Sequence, residues 1–412
     1  MDPRRLLDGP FGRAMVTSFL FFGSLNGFVL LPLYVHRLGG TETEIGLVQG
    51  TYSAAGIVCQ PVVGLWVDRL GRRWFMLLGA ALLTGASAAF VVAASIPVLA
   101  VLRALHGVAF SAFFVANYVH VVDLVPPERR GWALGIYGVS GLISTALAPL
   151  AVELVIRHLG FPWAFFFSAV LAAGALVIVL RSRDARPPSP GAGPGREVIR
   201  EMLREVRRLH NALGFFFGLG TGTVFTFLPT FAESLGVRGL GLFYTAYAGA
   251  AMGVRLAGGT LIDTRGRKAV IVPSMFVQAT ATGIFAAVAA SVNPSLAVPV
   301  LPFLFLAGLL AGAAHGFLYP ALSALLMDVT PEPRRGSAVG IFSSVFLVGN
   351  ALGAIFFGSL AYALGYAPMW GALAALLLVG TLWSMRMRPS PPRAVLALPA
   401  AAPSPALPPA AR

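Results

Sequence analysis

Two histidines, His106 and His315, are each followed by glycine, and each stands deep inside a long apolar run. Two arginines, Arg103 and Arg255, are embedded in apolar runs as well, with Arg103 one helical turn before His106. Ionisable groups in such settings are costly and mark solute pathways or proton relays. Imidazole adds a group that titrates near neutral pH. At 1.5 Å per helical residue, His106 lies about 25 Å from Asp123, and His315 about 20 Å from Asp328. Both histidines are therefore expected near mid-membrane, as substrate or proton sites or as structural hydrogen-bonding residues.

Arg103 is open to two readings, a cavity-facing cation and a structural hydrogen-bond donor. Arg255, Gly259 and Asp263 fall on an i, i+4, i+8 line, so one helical face carries all three, and Arg255 is read as part of a gate. Asn26, Asn117, Tyr247, Tyr319 and Asn350 add hydrogen-bonding groups for a polar solute, or interhelical contacts. No Asp or Glu falls in the middle of a run, and Glu153 and Glu233 stand near run ends. A cavity built from this set suits neutral, zwitterionic or anionic solutes better than cations.

The elements that must position these residues follow from composition. Of 412 residues, 57% are hydrophobic and 11% charged, against about 25% charged in ordinary soluble domains. Mean hydropathy is +0.81. An all-α polytopic membrane protein is expected. Apolar runs predict twelve spans: 14–35, 45–67, 74–95, 98–122, 132–155, 161–180, 211–234, 241–262, 269–291, 298–326, 337–363 and 367–385. The first run lacks a small-residue cleavage site and reads as an uncleaved helix. The single cysteine, Cys59, excludes an intramolecular disulfide.

Every basic residue except Lys268 is arginine, and the net charge is +14. With both termini placed in the cytoplasm, only Arg37, Arg157 and Arg238 fall in the opposite loops. That asymmetry orients the chain and accounts for the positive charge without nucleic acid. An inner cell membrane location is expected, with the bilayer and a small-molecule substrate as partners, protons as a coupling ion, and a monomeric state. The divisions are an N-terminal six-helix bundle (1–180), a linker (181–210), a C-terminal bundle (211–386) and a Pro/Ala-rich tail (387–412) expected to be disordered. In the linker, Glu197–Leu209 alternates acid and base around an apolar stripe, an amphipathic helix suited to a membrane surface or a partner.

The chain repeats itself. FVLLPLYVHRLG (28–39) matches FTFLPTFAESLG (225–236), GLWVDRLGRRW (64–74) matches GTLIDTRGRKA (259–269), and DLVPPERRGWALGIY (123–137) matches DVTPEPRRGSAVGIF (328–342). Three ordered matches at nearly constant offset predict two pseudo-symmetric bundles with a site between them. Asp123 with Arg130, and Asp328 with Arg335, recur as acid–base pairs across a Pro-containing turn, either as an inner gate or as hairpin staples.

Gly64-x-Trp66-Val67-Asp68-Arg69-x-Gly71-Arg72-Arg73 resembles the signature after the second span of the major facilitator superfamily. Gly259-x-Leu261-Ile262-Asp263-Thr264-x-Gly266-Arg267-Lys268 repeats it after the eighth, as in that family. Arg103-x-x-His106-Gly107 is similar to the family's fourth-span motif, with His in place of Gln. The resemblance covers about residues 12–386 and is strongest to bacterial efflux permeases. It implies the family's twelve-helix fold, alternating access and a charged latch formed by the two signatures, which otherwise read as topogenic charges. Thr145–Val152 keeps Pro149 among small residues but lacks the glycines of the efflux-type fifth span, so uptake by a symporter or uniporter stays open beside proton-coupled export.

No His-Glu-x-x-His, Gly-x-Ser-x-Gly or Asp-rich cluster points to an enzyme, a metal site or a cofactor. No phosphate-binding loop points to ATP. A non-transporting membrane sensor on the same fold is the remaining alternative.

Overall fold

The computed structural model describes residues 9–125, 130–182, 209–237, 239–258, 261–291, 300–329 and 335–387. The linker helix and the tail of the sequence-based reading lie outside these residues. The described chain is helical: α1 (Pro10–Gly27), α2 (Leu31–Arg37), α3 (Glu42–Leu70), α4 (Arg72–Ala89), α5 (Ile96–Asp123), α6 (Arg130–Leu159) and α7 (Phe161–Leu180) form the first half. The second half comprises α8 (Leu209–Ser234), α9 (Gly241–Gly258), α10 (Leu261–Thr264), α11 (Arg267–Ser291), α12 (Val300–Val329), α13 (Arg335–Leu364) and α14 (Tyr366–Ser384).

Twelve spans result, α1 and α2 making the first and α9 with α10 the eighth. Among the described residues, nine helices are long and apolar enough to cross a membrane on their own composition. The remaining three, α3, α4 and α9, are diluted by Gln49 and Gln60, by Arg72 and Arg73, and by Tyr244, Tyr247 and Arg255. Large side chains such as Val101, Leu154, Trp163, Phe356 and Leu382 are more than half exposed. In water such a surface would aggregate; in a bilayer it faces lipid.

The first span is broken by a 3-10 turn at Phe28–Leu30. Pro32 lacks the N–H that would bond to the carbonyl of Phe28, which loosens the helix there. Its repeat mate Pro229 sits inside an uninterrupted α8. The fourth helix ends at Ala89, six residues before the expected boundary, where Val91–Ala93 turn on i→i−3 bonds.

The packing obeys the repeat. In the first half α1 packs on α6 and α7, α4 on α5 and α7, and α3 on α5. In the second, α8 packs on α13 and α14, α11 on α12 and α14, and α9 on α12. Every pair in one half has its counterpart in the other. Positive φ values recur at repeat-related glycines, 83° and 70° at Gly39 and Gly236, 91° and 81° at Gly71 and Gly266. A side chain at these turns would be strained. The halves meet through two further repeat-related contacts, α3 on α13 and α6 on α9.

Connections 37–42, 159–161, 234–241 and 364–366 share one end of the bundle, here the Arg-poor end. Connections 70–72, 123–130, 264–267 and 329–335 share the other, the Arg-rich end. At the Arg-poor end α3 opens with a capping box, Thr41 Oγ1 accepting from Glu44 N and Glu44 Oε2 accepting from Thr41 N.

Candidate functional site

Glycines let the halves touch. A Cβ at Gly46 would run into the carbonyl oxygen of Ala354, and one at Gly50 would lie 2.6 Å from Ile355 Cγ1. Deeper along the same crossing, Gly56 faces Leu347, and Ser53 Oγ donates to Asn350 Oδ1 at 3.0 Å. Close approach of this kind needs small residues. On the other crossing, Gly241 packs on Leu150, and Thr245 Oγ1 donates to the carbonyl of Ala146. The Glu153 carboxylate accepts from the backbone N–H groups of Gly239, Leu240 and Gly241, the last at 2.6 Å. His36 Nδ1 lies 3.3 Å from Glu233 Oε2 at the same end. These contacts close the interface at the Arg-poor end and extend to mid-span.

Gly64 behaves differently. It is exposed, and a Cβ built there meets nothing within 4 Å. The close-packing glycines of this state are those of the α3–α13 crossing instead.

Arg103 and His106 lie inside the first half. Arg103 is 9% exposed and His106 fully buried. Arg103 Nε donates to Gln49 Oε1 at 2.8 Å, its guanidinium stands 4.6 Å from the centre of the Tyr52 ring, and Nη1 is 3.4 Å from His106 Nδ1. The other imidazole nitrogen is 3.3 Å from Ser87 Oγ, and Phe28 and Phe90 flank the ring. This network ties α5 to α3 and α4. Of the two readings open for Arg103, the geometry matches the hydrogen-bonding one. Gln49, Tyr52 and Ser87 carried no signal in the sequence, because their importance comes only from the register of three helices.

His315 has different surroundings. Its ring is 5.1 Å from Phe217, 5.5 Å from Tyr247 and 6.5 Å from Tyr319. It borders a cavity of about 20 Å³ with Tyr247, Gln278, Thr221 and Thr282, roughly the space of a single water molecule. His315 Nδ1 and Gln278 Oε1 are buried without a hydrogen-bond partner. The shared His-Gly dipeptide has a packing cause: Gly107 rests on the carbonyl of Tyr52, and Gly316 on Val254 and Ala251.

Arg255 stands at the crossing of α9 with α6. Its Nε donates to the carbonyl of Gly316 at 3.4 Å, and Nη1 would lie 2.9 Å from a Cβ on Gly138 of the opposite half. Tyr247 and Tyr319 are within its electrostatic range. Tyr118 on α5 is in turn within range of Tyr319 from across the interface.

The asparagines join helices. Asn26 Nδ2 donates to Ser144 Oγ and Thr145 Oγ1, tying α1 to α6. Asn117 Nδ2 donates to Ser18 Oγ at 2.7 Å in a fully buried position. Asn350 takes the Ser53 bond between halves and supports Gly222. Expected as cavity groups or interhelical contacts, all three make interhelical contacts here.

At the Arg-rich end, Arg72 Nε pairs with Asp123 Oδ2 at 3.1 Å, with both side chains less than a tenth exposed. Asp123 thus has an ion-pair partner in Arg72, which arrives from the neighbouring hairpin, while the expected partner Arg130 has its side chain outside the described residues. Arg73 Nη2 donates to the carbonyl of Leu180 at the end of α7, and Lys268 Nζ to that of Met385 just past α14. Each cation meets the negative end of a helix dipole. Arg267 Nη1 donates to the carbonyl of Ile262. The side chains of Asp68, Arg69, Arg130, Asp263, Asp328 and Arg335, and all of Gly259, lie outside the described residues. Among the described residues no group of three or more His, Cys, Asp or Glu side chains is placed to hold a metal.

Two repeat-related bundles that meet at α3–α13 and α6–α9 form a transporter architecture, and the sequence family agrees. The family model of the Major Facilitator Superfamily matches residues 14–303 and 282–409. The chain belongs to this family. It is a membrane transporter rather than an enzyme. It is 23% identical over 407 residues to the staphylopine export protein of Staphylococcus aureus, covering 93% of this chain and 97% of that one. It is 25% identical over 375 residues to the multidrug resistance protein MdtG of Salmonella choleraesuis, covering 86% and 89%. Among solved structures, the human organic anion transporter MFSD10 superposes with a TM-score of 0.69 at 18% identity, covering 93% and 100%. The superfamily resemblance of the two loop signatures is thereby borne out, and the alternatives of an enzyme and a sensor give way to transport.

Proposed function

We propose that the chain exports a small solute across the inner cell membrane by alternating access, with the Arg-rich end and both termini in the cytoplasm. The observation that carries this reading is the sealed Arg-poor end, where Glu153 and the Gly46–Ala354 contact hold the halves together. In this orientation the solute-accepting state is closed toward the outside, as capture from the cytoplasm requires. Full-length matches to an export protein and a multidrug resistance protein support that direction. A proton gradient is proposed as the drive and a monomer as the unit.

The test uses proteoliposomes with an imposed pH gradient and a panel of dyes and metabolites. Uptake into inside-out vesicles that depends on an acidic interior supports proton-driven export. Accumulation only in right-side-out vesicles would replace it with uptake.

A further inference from the structure

We infer that Arg255 is the anchor for an anionic group, a carboxylate, of the transported solute. This inference rests on the transport reading and names the chemistry of its site. Four observations converge on it. Arg255 lies where α9 crosses α6, about 21 Å along α9 from its Arg-poor end at 1.5 Å per residue, so it sits between the halves rather than inside one. Among the described residues its one hydrogen bond is the long one from Nε to Gly316, which leaves the terminal nitrogens without an acceptor there. The facing residue on α6 is Gly138, and any side chain there would displace Nη1. Aromatic groups of the second half stand near it, Tyr247, Tyr319 and His315, and Tyr118 of the first half lies within range of Tyr319.

Three other described arginines show what Arg255 lacks. Arg103 is held by Gln49, Tyr52 and His106, Arg72 by Asp123, and Arg157 by Glu153. Among the described residues Arg255 has no carboxylate partner, and guanidinium keeps its proton in proteins. A cation so placed in the membrane is expensive unless something neutralises it. Its open fork matches the two oxygens of a carboxylate, and the tyrosine rings offer an apolar wall with hydroxyl donors to the remainder of the solute.

The test is binding to the purified full-length protein in detergent, so that it does not depend on transport. Benzoate, indole-3-acetate and hexanoate are each compared with the corresponding amide by thermal shift and by equilibrium dialysis. At least one carboxylate is expected to bind 10-fold or more tightly than its amide. Arg255→Gln should remove that difference, while Arg255→Lys, which keeps the charge but loses the fork, should retain part of it and guards against a folding defect in the first variant. Equal binding of acid and amide across all three pairs, or a preference that survives in Arg255→Gln, would overturn the assignment. If the preference fails while vesicles still export a solute, the exporter reading stands alone. If it holds while no solute moves in vesicles, the transport direction and drive fall and the anion site remains.

Discussion

Glu153 and Gly241 join the two halves by a short bond, the carboxylate oxygen Oε2 lying 2.6 Å from the Gly241 backbone nitrogen. The second oxygen, Oε1, accepts from Gly239, Leu240 and Arg157. One acid thus captures the first N–H groups of α9, where the helix dipole favours negative charge. The carboxylate belongs to α6 of the first half, so this capture exists only while the Arg-poor end is shut.

Glu153→Gln should therefore loosen that end. The amide keeps one acceptor but presents an N–H toward backbone N–H groups and loses its charge. A charge-assisted bond contributes about 2 kcal/mol, equivalent to roughly 30-fold in the balance between closed and open states. Spin labels placed on α6 and α9 at the Arg-poor end should report a larger separated population by pulsed dipolar spectroscopy. An unchanged distance distribution would show that the glycine crossing alone holds the seal.

The glycines of α3 separate two kinds of contact. Gly46→Ala would push a methyl group into the carbonyl of Ala354, backbone that has no room to yield, and should lower the melting temperature or open the Arg-poor end. Gly64→Ala meets open space. Because alanine is favoured in helices by about 1 kcal/mol, its thermal stability should be unchanged or raised. If the signature at Gly64 closes the Arg-rich end in the opposite state, the same variant should slow transport. A stable protein with full turnover would reduce the signature to a topogenic role.

How much of this was legible in the sequence depends on what each feature needed. The spans followed from apolar length and the two-fold repeat from its three matching segments, whereas the positive φ at Gly39, Gly71, Gly236 and Gly266 shows only in the structure. Asn26 and Asn117 were visible as polar residues in apolar helices, but their partners Ser144 and Ser18 were not, since serine is common in membrane helices for many reasons. Asp123 was recognised, but its pairing with Arg72 was not, because Arg72 is brought near only by the packing of α4 on α5. Glu153 looked like an interfacial acid because its acceptor role involves backbone, which no side-chain pattern announces.

The Arg72–Asp123 pair should behave as a buried ion pair, both members being largely excluded from solvent. Removing one partner leaves a charge in a poor environment, at a cost of about 3 kcal/mol or more. Asp123→Asn and Arg72→Met should each destabilise strongly, and the double variant should destabilise by less than the sum. Additive losses in this cycle, read from chemical denaturation in detergent, would show that the two groups do not depend on each other.

The two histidines should separate in function despite their matching sequence context. His106 is fully buried among Phe28, Phe90, Ser87 and Arg103, with no face toward the crossing between the halves. His106→Ala should empty a well-packed site and cost about 3 kcal/mol, as large-to-small core changes do, with solute affinity in the surviving protein nearly unchanged. His315 borders a small, mainly apolar cavity and has an unpartnered ring nitrogen beside Tyr319. His315→Gln should leave stability within about 1 kcal/mol, the range of volume-conserving exchanges, and change solute affinity several-fold, because this ring stands one turn from Tyr319 and next to the carbonyl that Arg255 uses. Melting curves together with solute titration of both variants would check the contrast; an affinity loss confined to His106→Ala would reverse the assignment of the two sites.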